Sequence, residues 1–108
     1  MNRGEVWTVA GGSAYSGKPR PAVIVQGDLF DATDSIVVCP LTTEVSLAPL
    51  FRPVFQPDEE NGLRQPCRLM VDKITAVPRA RLGRRIGDLD REAMASADRA
   101  LLVFLGLV

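Results

Sequence analysis

The sequence predicts a mainly β domain of the α+β type: a small, strongly bent antiparallel sheet or barrel of five or six short strands, with one C-terminal helix. Three observations predict it. Short runs rich in Val and Ile alternate with clusters of Gly, Pro, Asp and Ser along most of the chain. Helical spacing appears only at the end, after Asp90. A length of 108 residues, without repeats or low-complexity tracts, makes a single domain spanning residues 1–108 with room for one core.

Each element has its own signal. Glu5 to Ala10 alternates polar and apolar, with Val6, Thr8 and Ala10 on one face and Trp7 and Val9 on the other. Residues 11–17 form a small-residue loop, either a plain connection or a lid. Pro21 to Gln26 holds the run Ala-Val-Ile-Val, a strand buried on both faces. Ser35 to Thr42 has a β-branched centre, and Pro40 demotes its end to an edge or bulge. Residues 44–50 form a second loop, and Arg52 to Gln56 a short strand. Arg68 to Val77 is the longest strand candidate, bent where Asp72 and Lys73 interrupt its apolar run, and ended by Pro78. Arg79 to Arg85 is a basic connection, and a short last strand follows around Arg84 to Leu89. Asp90 is the expected N-cap of the helix. From Ala100 on, that helix is apolar all round, so its end needs cover on every face, and a second copy of the chain is a natural cover.

Formal net charge is zero, but the charge is unevenly spread. Residues 27–63 carry seven acidic groups and one basic, whereas residues 64–85 carry seven basic and one acidic. Opposed patches and mutual neutralisation are both open outcomes, and a basic patch attracts a polyanion even on a neutral chain. The apolar C-terminus is too short to span a bilayer, and no signal-peptide pattern opens the chain, so no membrane partner and a cytoplasmic location are expected. Cys39 and Cys67 sit in apolar contexts and read as buried reduced thiols.

The chain has no histidine, the commonest general base and metal ligand, and no Gly-rich phosphate loop. Arg, Lys, Thr, Asp and Glu remain. These suit phosphate recognition and charge stabilisation with no cofactor and no metal. Arg20 lies between Pro19 and Pro21 at the mouth of an apolar strand, on a backbone stiffened from both sides. It is either a surface arginine in a Pro-rich turn or a guanidinium fixed to meet a phosphate. Thr42 and Thr43 emerge just past a buried strand, where they either start a turn or point hydroxyls into a cleft. RNA carries its own nucleophile, the 2′-hydroxyl. An enzyme needs only to align it with the leaving 5′-oxygen and stabilise charge on the phosphorane.

Arg3-Gly4-Glu5-Val6-Trp7, Lys18-Pro19-Arg20-Pro21 with its apolar strand and Gln26, Pro40-Leu41-Thr42-Thr43, and Asp72-Lys73-Ile74-Thr75 together resemble the MazF/PemK/Kid toxins of bacterial type II toxin–antitoxin systems over essentially the whole chain. The resemblance implies an SH3-like β-barrel of the CcdB/PemK kind, homodimeric. It implies an mRNA interferase: a metal-independent, sequence-specific endoribonuclease that cuts single-stranded RNA to 2′,3′-cyclic phosphate and 5′-hydroxyl ends. It implies catalytic roles for Arg20 and Thr42. RNA contacts are expected at Lys18, Gln26, Thr43, Asp72 and Lys73. One branch of the family has an arginine where this chain has Met70 and uses a histidine in the first loop, which is absent here. The implied partner is a MazE-like antitoxin whose acidic tail occupies the RNA groove. Two alternatives stand beside it. One is a CcdB-like gyrase poison, whose Trp-Gly-Ile ending this chain replaces with Leu-Gly-Leu-Val. The other is a non-catalytic RNA- or peptide-binding module of the same fold.

Overall fold

The computed structural model describes residues 1–11, 18–45 and 50–108, so most of the first loop and part of the second lie outside the described residues. The described chain folds as β1 (Glu5–Val9), β2 (Arg20–Ile24), β3 (Ser35–Thr42), β4 (Val54–Phe55), β5 (Cys67–Leu69), β6 (Thr75–Pro78), β7 (Leu82–Asp88) and α1 (Arg91–Phe104). Every strand pairing is antiparallel. The order across the sheet is β4-β5-β3-β2-β1-β7, with β6 also on β3.

β3 is the hub. One edge pairs with β2; the other pairs with β6 through its first half and with β5 through its end. The single long strand expected over residues 68–77 is therefore two. Val38 pairs with Thr75 and Leu41 with Leu69, so three steps along β3 face six along its partner. The surplus is expelled as a single 3-10 turn, Val71–Lys73, closed by Ile74 N–H on the Val71 carbonyl at 3.2 Å. A turn, not a bend, carries Asp72 and Lys73. Pro40 likewise stands inside the sheet and not at its edge, between Ala22 of β2 and Met70, whose N–H donates to the Pro40 carbonyl at 2.8 Å. On a strand the N–H and C=O of one residue share a side, so the missing Pro40 N–H falls toward Met70, where β5 has already ended.

The sheet curls into a half-barrel, and both faces hold apolar side chains. One face packs Val6, Val23, Cys39, Leu41 and Leu69 against Ala97, Ala100 and Leu101 of α1. The other gathers Val9, Ala22, Ile24, Ile36, Val38, Val77 and Leu82. Cys39 and Cys67 are free and buried. Burial pushes the Cys39 thiol up to about 12 and the Cys67 thiol upward, which keeps both protonated and inert.

The Arg-Gly-Glu-Val-Trp stretch is structural. Arg3 Nε donates to the Val25 carbonyl at 2.9 Å and its Nη2 to Asp98 of α1 at 2.5 Å. Gly4 adopts φ +94° with the Met94 side chain against it, and the buried Glu5 carboxylate accepts from Trp7 Nε1 at 2.8 Å. Asp90 caps α1 as expected, accepting from Ala93 N–H at 2.8 Å. Beyond Leu101 the helix leaves the core: Leu102, Val103, Phe104, Leu105, Leu107 and Val108 are all exposed in the single chain.

Candidate active site

Register decides which side chains meet at the open end of β2. Ile24 faces Val38, Val23 faces Cys39 and Ala22 faces Pro40. The ladder ends there, and alternation along each strand puts Arg20 on the face of Ala22 and Ile24, and Thr42 on the face of Val38, just past the last paired residues. An apolar column thus ends in a polar pair. Arg20 and Thr42 both line a cavity of about 440 Å3, together with Thr43, Glu44, Arg52, Met70 and Lys73.

The local geometry fits each group for its place. Arg20 is flanked by Pro19 and Pro21 and paired through its backbone to Val9 of β1, so its Cα is fixed while its guanidinium is exposed. It forms no ion pair among the described residues. The Thr42 hydroxyl oxygen accepts from Glu44 N–H at 3.1 Å, which fixes the oxygen and leaves its O–H as a donor. Arg52 Nε and Nη2 donate to the two carboxylate oxygens of Asp72 at 2.9 and 2.8 Å. That hydrogen-bonded guanidinium holds the Asp72 carboxyl below the usual carboxylate range. Lys73, the next residue of the turn, is exposed at the cavity and unpaired among the described residues.

Of the residues singled out in the sequence, Arg20, Thr42, Thr43 and Lys73 come together. Asp72 does not line the cavity; it stands behind Arg52 with both oxygens engaged. Lys18 is exposed one residue before Pro19. Gln26 lies away from the cavity, and its amide braces the turn after β2: Nε2 donates to the Phe30 carbonyl at 2.7 Å and Thr33 Oγ1 at 2.8 Å, and Oε1 accepts from Val37 N–H at 3.1 Å. Sequence reasoning passed over Arg52 and Glu44. Arg52 had a signal, as the one basic residue among the acidic residues 27–63. Glu44 had a weaker one, directly after the two threonines.

The charged segments keep mostly apart. Asp31 with Arg79 is the ion pair that joins residues 27–63 to residues 64–85 apart from Arg52 with Asp72, so Arg64, Arg68, Lys73, Arg81 and Arg84 stay unpaired among the described residues.

A curled antiparallel sheet with one terminal helix, and cations and hydroxyls gathered at the open end of a central strand, define a small β protein with a polar, cationic cleft. The chain belongs to the family of PemK-like, MazF-like toxins of type II toxin–antitoxin systems, which it matches over residues 2–105. It is 50% identical over 107 residues to the "Probable endoribonuclease MazF" of Mycolicibacterium smegmatis, covering 99% of this chain and 98% of that protein. Its fold resembles a mycobacterial endoribonuclease solved in complex with its cognate antitoxin, with a TM-score of 0.83, 24% identity, and coverage of 100% of this chain and 97% of that one. It also resembles a MazE-MazF structure from Deinococcus radiodurans, with a TM-score of 0.79, 19% identity, and coverage of 98% of this chain and 96% of that one. Family membership thus favours the toxin expectation over the gyrase-poison alternative.

Proposed function

We propose that this chain is the toxin of a type II toxin–antitoxin pair and a metal-independent, sequence-specific endoribonuclease acting on single-stranded RNA. The observation that carries the reading is that Arg20 and Thr42 line one cavity with two further cations. Membership of the toxin family and the name of the M. smegmatis relative support it.

In this reading the 2′-oxygen attacks phosphorus, the bond from phosphorus to the 5′-oxygen breaks, and 2′,3′-cyclic phosphate and 5′-hydroxyl ends result. The planar Arg20 fork pairs with two phosphate oxygens and meets the charge that grows on the phosphorane. The Thr42 O–H gives a second hydrogen bond to the same oxygens. The proton of the 2′-hydroxyl needs an acceptor. Among the described cavity residues the cations have none to offer and the Thr hydroxyls are weak, which leaves the Glu44 carboxylate. Lys73 can return a proton to the leaving 5′-oxygen. Asp72 acts through Arg52, holding its guanidinium at the cavity wall, while Lys18 and Thr43 contact flanking RNA. Gln26 serves as a brace.

The exposed apolar C-terminus of α1 supports a homodimer, with a second copy covering Leu102 to Val108. A MazE-like antitoxin is the expected protein partner, as for the relatives solved with theirs. No described helix is long and apolar enough to cross a membrane, and a cytoplasmic site of action follows from an RNA substrate.

The test is incubation of a long single-stranded RNA with purified protein in EDTA, mapped by primer extension, with analysis of the product ends. Sharp stops at one short motif with cyclic phosphate ends are expected. Intact RNA, or cleavage equal to that by an Arg20→Ala control, overturns the reading.

A further inference from the structure

A second and larger groove, of about 670 Å3, begins where the catalytic cavity ends. Thr43 lines both. Pro19 and Pro21 form the rib between them, with Arg20 turned to one side and the prolines to the other. We infer that this groove binds the stretch of RNA adjoining the scissile phosphate, with Arg64 and Arg84 on its backbone phosphates. The inference rests on the ribonuclease reading above.

Charge comes first. Among the described residues, Arg64, Arg84 and Arg85 line the groove and no acidic side chain does. Arg85 is occupied by Asp88 at 2.5 Å and Glu5 at 3.9 Å. Arg64 and Arg84 are exposed and without an ion pair among the described residues. Two cations left unpaired over a groove of this size, with Pro21 and Ile86 as apolar surface beside them, suit a nucleotide: phosphates on the guanidinium forks and a base on the apolar wall.

The groove is also built stiffly: Leu63 and Cys67 of its lining belong to the core under the helix, and Ile86 packs against it. Asn61 is buried, and its Oδ1 accepts from Asp58 N–H at 3.2 Å and Leu63 N–H at 3.0 Å while its Nδ2 donates to the Gln56 carbonyl at 2.9 Å. Gly62 has φ +71°, and a Cβ there would meet the Ile86 carbonyl oxygen at 2.1 Å. A Cβ on Gly87 would meet the Glu60 carbonyl oxygen at 2.3 Å. The loop that bears Arg64 is thereby clamped flat on β7, which bears Arg84. Arg84 is set in turn by its own N–H on Thr8 Oγ1 at 3.0 Å. The backbone positions that carry the two arginines are thus set before any ligand arrives, which leaves only their side chains to be ordered on binding.

An acidic peptide also fits a cationic groove. Continuity with the catalytic cavity through Thr43 favours RNA, because a strand placed on Arg20 and Thr42 has to leave by one end of that cavity.

The experiment uses two RNA oligonucleotides that share one mapped cleavage motif, one with two flanking nucleotides on each side and one with ten. Binding is read by fluorescence anisotropy on Arg20→Ala protein and cleavage on protein with Arg20 intact, each with and without Arg64→Gln plus Arg84→Gln. The double substitution is expected to weaken binding of the long RNA about tenfold or more. It should lower the steepness of log affinity against log salt by about 1.4, at roughly 0.7 for each single-strand phosphate contact. Affinity and kcat for the short RNA should stay within about twofold, and Arg64→Lys plus Arg84→Lys should restore most of the loss. An unchanged preference for the long RNA and an unchanged salt slope overturn the inference. So does an unchanged RNA affinity with lost affinity for an acidic peptide, which assigns the groove to a protein ligand. Absence of cleavage by protein with Arg20 intact overturns the ribonuclease reading instead, and the anisotropy arm still decides the groove.

Discussion

The two ends of β2 treat their polar groups in opposite ways. At the end near Ile24, the long polar side chains of Arg3 and Gln26 both have structural partners. Arg3 is held by the Val25 carbonyl and Asp98, and Gln26 by Phe30, Thr33 and Val37. At the other end, Arg20 has a fixed backbone and a guanidinium without an ion pair among the described residues. The residue type is the same, so the sequence neighbourhood alone does not separate a bracing arginine from one available to a ligand. The difference lies in what the fold brings near. Arg3 bonds a carboxylate from α1, whereas Arg20 shares a cavity with two threonines, two more cations and Glu44 and bonds none of them. A charge placed on a stiff backbone and left without a partner in the fold is what makes Arg20, and not Arg3, the candidate for a ligand.

Substitution at the open end should break activity and spare the fold. Arg20→Ala is expected to lower kcat by about 10²–10³, the usual loss of one preorganised charge-stabilising donor. Glu44→Gln is expected to lower kcat by about 10² or more with little change in KM, if its carboxylate takes the 2′-hydroxyl proton. Both side chains are exposed, so the thermal midpoint should move by no more than a surface substitution does, about 0.5 kcal/mol in stability. Single-turnover cleavage beside thermal melts checks the pair. A loss of activity that tracked a loss of folded protein would make the two ends of β2 alike.

At the braced end the expectation reverses. Arg3→Ala removes a bond to a buried carbonyl and a partly exposed ion pair to α1. A loss of about 1–2 kcal/mol is expected, seen as a thermal midpoint lower by roughly 5–15 °C. Cleavage per folded molecule should be unchanged at a temperature where both proteins are folded. A fall in kcat beyond a few-fold would give Arg3 a part in the reaction.

Much of the fold was legible because it is written locally. Alternation marked β1, the β-branched centre marked β3, and Asp90 announced the helix. The site was half legible. The prolines around Arg20 and the threonines after β3 are local signals, and antiparallel register does the rest. The pairing of Arg52 with Asp72 was not legible. It joins residues from two segments whose approach depends on how β3 shares its edge between β5 and β6, and periodicity holds nothing about that. The same sharing turned one expected strand into two. Glu44 was passed over because a lone acidic residue in a loop ordinarily faces solvent. Only the cavity around it makes it a candidate for the proton acceptor.

The smallest expected effect concerns the one carboxylate that belongs to both regimes, Asp72, structurally paired yet adjacent to the cavity. Arg52 holds its carboxyl below the usual range, with side chains 17% exposed for Arg52 and 23% for Asp72. A carboxyl whose folded value is depressed adds stability that is fully present above the unfolded value, about 3.9, and is lost as pH falls through the folded one. Asp72→Asn should therefore cost about 1–2 kcal/mol at pH 7, and the gap between the two proteins should narrow as pH drops below about 4. Thermal midpoints measured from pH 7 to pH 3 read this directly. The same variant should raise KM for RNA a few-fold at neutral pH with kcat nearly kept, because Arg52 keeps its charge but loses the fork that aims it. A gap that stayed constant with pH would show that the ion pair contributes no charge-dependent stability. An unchanged KM would show that Arg52 needs no aiming, and Asp72 would then join Gln26 as a brace with no bearing on RNA.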